Sequence, residues 1–537
     1  MKTAGECTVE IGPPGTGKTT KLIRHLCDEL ERGTPPERIA FVTFTRAACQ
    51  EALDRVESDI GLRRDSMPWI RTIHSTAYKL LGVKRGQIMA GAQWREFAKK
   101  YGYNLTDFHF AEDGTLVEPP RRTEDDEYRY LSQWARNRRV PLSVAIARSR
   151  RPVSARQAEL LDERARAYKT ANSLLDFTDL LELSIGEIRR PDVDVAFIDE
   201  AQDLSPLQIA IVEQWFAPCR RVYVAGDDDQ AIYGFQGAEP DWLLSLCEEH
   251  GCEVLEQSHR VPRTVHEIAE RIIGRNRHRV PKAYRPRAEE GSVERLTLAD
   301  ILRTLESDTD TLVLARNRMF LTAPARALFD RRVPFFVEGA GGVNPYGKQG
   351  CFDAVVAAST LARRQPIPAD ALRDLLSFVP SRGSDLLPHG VKARVERAAG
   401  VLSEYQLREQ LGLGALLDRI GRQGPTSVLL KMDAADRNYF AGLIARYEDV
   451  PTPRIHLTTA HAAKGRQADT VVVLPDMTRS SYEESVDYRG TGAEGETRVA
   501  YVAVTRAKQR LILARPATQR AYNYPAAPRA AVDLVAC

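Results

Sequence analysis

The segment Gly12-Pro13-Pro14-Gly15-Thr16-Gly17-Lys18-Thr19 has the spacing Gly-x4-Gly-Lys-Thr. Glycines allow successive backbone N–H groups to converge on an anion, and the N-terminus of a following helix adds a favourable dipole. In this P-loop pattern Lys18 reaches the β- and γ-phosphates of a nucleotide and Thr19 holds Mg²⁺. A pair of acids, Asp199-Glu200, ends the apolar run Val195-Ala196-Phe197-Ile198. A strand that delivers two acids at its C-terminal end places them where open α/β sheets bind ligands. Asp199 suits the Mg²⁺ shell, and Glu200 suits the orientation or deprotonation of an attacking water. A chance glycine turn and a solvated acidic loop are the bland alternatives. The agreement of the two motifs, each next to a strand, weighs against both. ATP and Mg²⁺ are therefore the expected cofactors.

The elements that position these groups follow from short apolar runs. Residues 8–11 read as a strand leading into the glycine turn, with a helix from 20 to about 31. Residues 39–44 read as the next strand and 46–56 as its helix. Further strands are expected at 195–198, 222–225, 311–315, 470–474 and 510–514. Short β-branched runs separated by helical stretches indicate parallel sheets buried on both faces, hence an α/β class. Residues 77–185 and 346–450 break the rhythm and read as mainly helical insertions.

A chain of 537 residues is too long for one ordinary domain. The net charge of +3 excludes a polycation, so any nucleic-acid contact must come from a local surface. The eight cysteines form no CxxC pair, and Cys247 and Cys252 lack partners at zinc spacing. Reduced, mostly buried thiols in a cytoplasmic protein are expected. No apolar signal core or membrane-length run is evident, which predicts neither export nor membrane association.

The string Gly226-Asp227-Asp228-Asp229-Gln230-Ala231-Ile232-Tyr233-Gly234-Phe235-Gln236-Gly237-Ala238 closely resembles the third motif of UvrD/Rep-type superfamily-one DNA helicases. Segments 42–48, 72–75, 255–260, 459–465 and 501–507 resemble other motifs of that family in the family's order. The resemblance implies two RecA-like P-loop domains with parallel sheets and ATP between them. The first would comprise 1–76 and 186–262, with 77–185 inserted; the second 263–345 and 451–537, with 346–450 inserted. It also implies that Gln230 senses the γ-phosphate and that Arg260 and Arg506 act as arginine fingers, a device worth about 10³ to 10⁵ in rate. At the nucleoside end the chain departs from its family. No glutamine precedes Gly12, His259 stands for a tyrosine, Thr20 for an arginine, and after Gly465 comes Gln467 where relatives have an acid that holds the ribose. Weak discrimination between ATP and GTP is the expected consequence.

By the same resemblance Phe44, Tyr233 and Phe235 stack on bases, and Thr45, Thr72, His74, Thr459 and His461 grip phosphates. An aromatic beside a strand serves equally well in a core, which applies to Phe44. Tyr233 and Phe235, in a polar loop flanked by glycines, point to DNA. Arg136, Arg138, Arg139, Arg148, Arg150, Arg151 and Arg156, with Trp134 nearby, either contact duplex or form a solvated helix face. The expected function is a 3′-to-5′ helicase acting on single-stranded DNA and junctions, monomeric without DNA. The alternatives are a translocase that strips proteins with little unwinding and a non-motor scaffold on a helicase fold.

Overall fold

Runs that are apolar on both faces form the middle of two six-stranded sheets. The computed structural model describes residues 5–43, 46–106, 123–149, 151–186, 189–305, 308–339, 343–381, 385–486 and 492–526. The chain divides into two compact units, Met1–Glu289 with Glu484–Thr505, and Glu290–Glu483 with Arg506–Cys537.

In the first unit the strands are β1 (Glu6–Ile11), β2 (Ile39–Thr43), β3 (Trp69–Thr72), β4 (Val195–Ile198), β5 (Arg221–Gly226) and β6 (Glu253–Val254). Their order is β3-β2-β4-β5-β1-β6, and all pairs are parallel. Every residue of β2 and β4 is buried, as expected of strands covered on both faces. On one face Phe41, Phe197 and Tyr223 stack across β2, β4 and β5, with centroids 5.9 and 4.8 Å apart. Against them lie Leu22 and Leu26 of α1 (Lys18–Glu31) and Val56 of α2 (Arg46–Ile60). Burial of each such leucine contributes about 1.5–3 kcal/mol. On the other face Ala196, Ile198, Val222 and Val224 meet Trp215 and Phe216. Helix α1 starts at Lys18, two residues earlier than expected, because the last residues of the glycine motif already form its first turn.

Between β3 and β4 run α3 (Ile73–Leu81), α4 (Gly91–Tyr101), α5 (Glu124–Arg138), α6 (Leu142–Arg148), α7 (Ala155–Ala171) and α8 (Phe177–Gly186). This is the helical stretch expected at 77–185. Of its arginine run, Arg136 and Arg138 are half-buried and Arg148 is exposed. Arg136 pairs with Asp176, Asp179 and Glu182 at 3.0, 2.5 and 2.6 Å. Lys169 joins the same aspartates, 2.6 Å from each. Arg138 and Arg148 lie over the Trp134 ring, 5.2 and 4.8 Å from its centroid. Arg139, Arg151 and Arg156 are exposed, and Arg150 lies outside the described residues. The unit continues with α9 (Pro206–Phe216), α10 (Asp241–His250), α11 (Arg263–Ile273) and the helix Gly492–Val504.

The second unit has β7 (Ser292–Leu296), β8 (Thr311–Ala315), β9 (Phe335–Val337), β12 (Ile455–Thr459), β13 (Ala468–Leu474) and β14 (Ala507–Ala514), with a separate antiparallel pair, β10 (Ile367–Pro368) and β11 (Val401–Leu402). The main order is β7-β14-β13-β8-β12-β9, again all parallel. The stretch expected as an insertion is mainly helical, with Cys351–Ala362, Ala369–Ser377, Gly414–Gln423 and Ala434–Tyr447 as its longer helices. It shares one apolar core with the sheet, where Phe335 and Tyr439 pack and the Tyr439 hydroxyl donates to the Val333 carbonyl at 2.6 Å. Seven described cysteines are free; Cys49, Cys219 and Cys351 are buried and the other four half-buried.

The Asp176 network yields a stability prediction. Burial alone would raise this carboxyl, but the charges of Arg136 and Lys169 overcome it and pull it down from 3.8 to about 2. Its contribution is full above the unfolded value and is lost as pH falls through about 2. Asp176→Ala leaves Arg136 and Lys169 to share Asp179 and should cost about 1–3 kcal/mol at neutral pH. Urea denaturation checks it; an unchanged midpoint would contradict the network's role.

Candidate nucleotide site and nucleic-acid track

Three neighbouring strands, β4, β5 and β1, end side by side. The Gly12 N–H donates to the Gly226 carbonyl at 3.0 Å, which pins the start of the glycine loop to the end of β5. Gly15 has φ 79°, and a Cβ there would stand 2.5 Å from the Arg260 Cβ, so both the turn and the packing demand glycine. The Thr16 hydroxyl donates to the Pro13 carbonyl at 2.8 Å, and Lys18 Nζ to the Gly12 carbonyl at 2.6 Å. The Lys18 ammonium thus lies within the loop. Gly17 has φ 85° and caps α1.

The Thr19 hydroxyl donates to Asp199 Oδ2 at 2.7 Å across 180 residues of sequence. A hydroxyl and a carboxylate so placed are hard oxygen donors of the kind Mg²⁺ takes, with phosphate and water completing its shell. Among the described residues no group of three or more His, Cys, Asp or Glu side chains could hold a metal ion. Burial, reinforced by the Glu200 charge, pushes the Asp199 carboxyl up to about 6 against the pull of Thr19 and Lys18. Glu200 adopts φ 55°, a left-handed conformation that costs a non-glycine residue on the order of 1–3 kcal/mol. Its N–H donates to Asp199 Oδ1 at 2.9 Å.

A buried polar chain leaves Glu200. Gln202 Nε2 donates to Glu200 Oε2 at 2.5 Å, and Gln202 Oε1 accepts the Asp227 N–H at 2.9 Å. Asp227 Oδ2 accepts from Gln230 Nε2 at 2.6 Å. Three consecutive aspartates then surround one buried ammonium: Lys282 Nζ is 3.3, 2.5 and 2.7 Å from Asp227, Asp228 and Asp229. Burial opposes the Lys282 charge, and the three carboxylates more than offset it, so its pKa rises. Arg279 adds a bidentate bond to Asp229 at 2.9 and 2.6 Å. Sequence reading missed Gln202, Arg279 and Lys282. Gln202 stood in view, two residues after Glu200; the two cations lie about 50 residues from their partners and carry no local signal.

Arg260 and His259 sit against the same loop. The His259 N–H donates to the Gly15 carbonyl at 2.8 Å, and the Ser258 hydroxyl to the Pro14 carbonyl at 2.9 Å. Tyr284, also missed, donates to the same Pro14 carbonyl at 2.9 Å. Burial lowers the Arg260 pKa while Tyr284 and Glu200 act to raise it, so this guanidinium feels the Glu200 charge. The His259 side chain is exposed. The Thr20 hydroxyl accepts a bond from Arg55 of α2 at 2.8 Å. A guanidinium therefore stands beside Thr20 even though none occupies that sequence position.

Of the expected DNA contacts, Phe44 and Thr45 lie outside the described residues. Thr72 is buried and its hydroxyl caps α3, accepting the Ser75 N–H at 3.2 Å. The half-buried His74 meets Phe177 edge-on, 6.0 Å between centroids. Tyr233 and Phe235 stand 5.9 Å apart at 55°. Helix α5 braces their loop: Trp134 Nε1 donates to the Gly234 carbonyl and an Arg138 Nη to the Gly237 carbonyl, both at 3.4 Å.

The second unit carries the remaining expected residues. Thr459 ends β12, and its hydroxyl accepts the Ala462 N–H at 3.3 Å. His461 is buried, Gly465 has φ 82°, and Gln467 is exposed. Arg506 is buried, and one of its Nη atoms donates to the Arg466 carbonyl at 3.4 Å. Arg466 in turn pairs with Glu338 at 3.0 Å, and Glu338 accepts from Thr458 at 2.7 Å.

A glycine loop and an acidic pair at the ends of two parallel strands that flank β5 define a P-loop nucleotide-binding protein. Comparison with known proteins specifies it further. The UvrD/REP helicase N-terminal domain matches residues 1–251 and the UvrD-like helicase C-terminal domain residues 443–516. The chain is 24% identical to the putative ATP-dependent DNA helicase YjcD of Bacillus subtilis, covering 97% of this chain and 78% of that protein. It is 26% identical to the ATP-dependent DNA helicase UvrD2 of Mycobacterium tuberculosis, covering 93% and 75%. With the ATP-dependent DNA helicase Rep of Salmonella typhimurium it shares 28% identity over 51% of this chain and 42% of that one. The chain belongs to the UvrD/Rep family of ATP-dependent DNA helicases. Among the described residues no helix is long and apolar enough to cross a membrane.

The aspartate cluster predicts a coupled stability effect. Lys282→Met removes the shared cation and should cost about 3–5 kcal/mol. Adding Asp228→Asn should recover part of that loss, with a coupling of about 0.5–3 kcal/mol in a double-mutant cycle. Urea midpoints of the four proteins measure it, and strictly additive costs would show that the pair does not interact.

Proposed function

We propose that this chain is a DNA-stimulated ATPase that moves 3′-to-5′ along single-stranded DNA and unwinds duplex. The observation that supports this best is the common origin of the phosphate-facing groups and the aromatic loop. The glycine loop, Asp199-Glu200 and the Asp227–Phe235 segment follow β1, β4 and β5, three neighbours in one sheet. In this reading the two six-stranded sheets are the cores of two RecA-like domains; residues 263–289 and Glu484–Thr505, expected in the second, group with the first unit.

Lys18 and the backbone of residues 12–19 bind the phosphates. Thr19 and Asp199 hold Mg²⁺, which when bound screens the phosphate charge. Glu200 orients the attacking water and accepts its proton, and Gln230 answers to the γ-phosphate. Arg260 and Arg506 stabilise charge that develops on the transferred phosphoryl oxygens. Thr20, His259, Gly465 and Gln467 serve the nucleoside. Tyr233 and Phe235, with Phe44, stack on bases, a contact worth roughly 1–3 kcal/mol per base and indifferent to sequence. Thr45, Thr72, His74, Thr459 and His461 serve the DNA backbone. The working unit is a monomer.

Steady-state ATPase should rise strongly with single-stranded DNA. Lys18→Ala and Glu200→Gln should each reduce turnover by at least about a hundredfold. Glu200→Gln should keep nucleotide binding, because Thr19 and Asp199 are untouched. Equal rates with and without DNA would refute the coupling.

Strand displacement on duplexes with a 3′ or a 5′ tail tests polarity, with unwinding expected from the 3′ tail. Unwinding from the 5′ tail alone would refute it, and release of a bound protein without strand separation would favour a translocase.

A further inference from the structure

Gln202 is fully buried, and both ends of its carboxamide are engaged. Nε2 donates to Glu200 at 2.5 Å and reaches Asp203 Oδ2 at 3.4 Å, while Oε1 accepts the Asp227 N–H at 2.9 Å. These bonds settle which way the amide points. A flipped amide would set a donor against the Asp227 N–H and an acceptor against the Glu200 carboxylate. The fit is close: a Cβ on Gly226 would lie 2.7 Å from Gln202 Oε1, so only glycine before Asp227 admits the amide.

Asp227 is buried too and belongs to the loop side of the chain. Its Oδ2 accepts from Gln230 at 2.6 Å, and its Oδ1 accepts the Asp229 N–H at 3.2 Å. Three residues after Gln230 comes Tyr233. From Glu200 to Gln230 there is thus one continuous path of short hydrogen bonds, in which Gln202 links the segment after β4 to the segment after β5, and the chain itself carries on to Tyr233.

We infer that Gln202 is a positioning residue that couples the orientation of Glu200 to the Asp227–Phe235 loop, so that DNA on the loop governs the hydrolytic carboxylate. This rests on the reading of the chain as a DNA-coupled ATPase. The physical basis is that a buried, planar amide held at both ends passes on any displacement of the Asp227 backbone. Gln202 and Asp227 are both fully buried, so neither has water as an alternative partner.

Two variants of the full chain test it. Gln202→Glu keeps the acceptor for Asp227 and the side-chain shape but loses the donor to Glu200. Gln202→Ala loses both bonds. ATPase is measured with and without oligo(dT), together with KM for ATP, melting temperature, and oligo(dT) affinity without nucleotide. In both variants the ratio of DNA-stimulated to DNA-free kcat should fall by at least about fivefold. KM and oligo(dT) affinity should stay within about threefold, a change of under 1 kcal/mol. A folded Gln202→Glu with the parent's ratio would overturn the inference, as would a common fall in both rates that leaves the ratio intact, the mark of a merely structural residue. Should Gln202→Glu fail to fold, the Gln202→Ala ratio decides by the same criteria. A parent enzyme that DNA does not stimulate would sink the functional reading and this inference together; a stimulated parent whose variants keep its ratio would sink the inference alone.

Discussion

Parallel pairing of β5 with β1 on one side and β4 on the other sets where the glycine loop, Asp199-Glu200 and the aspartate segment of the first unit stand. Ile11 is in register with Gly226, and Ile198 with Val224. The glycine loop, the acidic pair and the aspartate segment therefore leave the sheet at one edge, within hydrogen-bond reach of one another. The Gly12–Gly226, Thr19–Asp199 and Gln202–Asp227 contacts are consequences of that register. A slip of one residue would turn the strand's alternate side chains to the opposite face and undo all three.

That arrangement concentrates buried charge, and the fold answers with cations. Asp227, Asp228 and Asp229 are all buried, a placement that isolated carboxylates do not tolerate. Lys282 and Arg279 make it tenable. They follow α11, so a segment about twenty residues after Arg260 is what neutralises the loop that carries Gln230. Tyr284, two residues on, returns to the glycine loop through Pro14. One short stretch, residues 279–284, thereby touches both the aspartate segment and the glycine loop.

How far the chain could be read beforehand depended on burial. The strands anticipated from sequence, β1, β2, β4, β5, β8, β13 and β14, are all interior to their sheets. Apolar packing on both faces gives such strands an unbroken apolar run. The strands not anticipated include all four edges, β3, β6, β7 and β9. Each edge has only one neighbour; three of the four are four residues long or shorter, and the fourth, Ser292-Val293-Glu294-Arg295-Leu296, carries mixed polarity. Interior β12 escaped because His456 and its threonines break its apolar run. The glycine loop and Asp199-Glu200 were visible because their chemistry is contiguous. Gln202–Asp227 and Lys282 with its aspartates were not, because each contact is made only when distant strands come together.

The arginines of the insertion divide between contacts within the protein and solvent. Arg136 is spent on Asp176, Asp179 and Glu182, Arg138 and Arg148 enclose Trp134, and Arg139, Arg151 and Arg156 are exposed. That enclosure has a direction. Trp134 and Arg138 both reach carbonyls of the loop that bears Tyr233 and Phe235. The loop makes a turn of its own, in which the Gln236 and Ala238 N–H groups donate to the Tyr233 carbonyl at 2.8 and 3.3 Å and the Gly237 N–H to the Gly234 carbonyl at 3.0 Å. Helix α5 adds restraint from outside the sheet, because two of its side chains donate to carbonyls of that same turn. The insertion thus braces the loop that bears the aromatic pair.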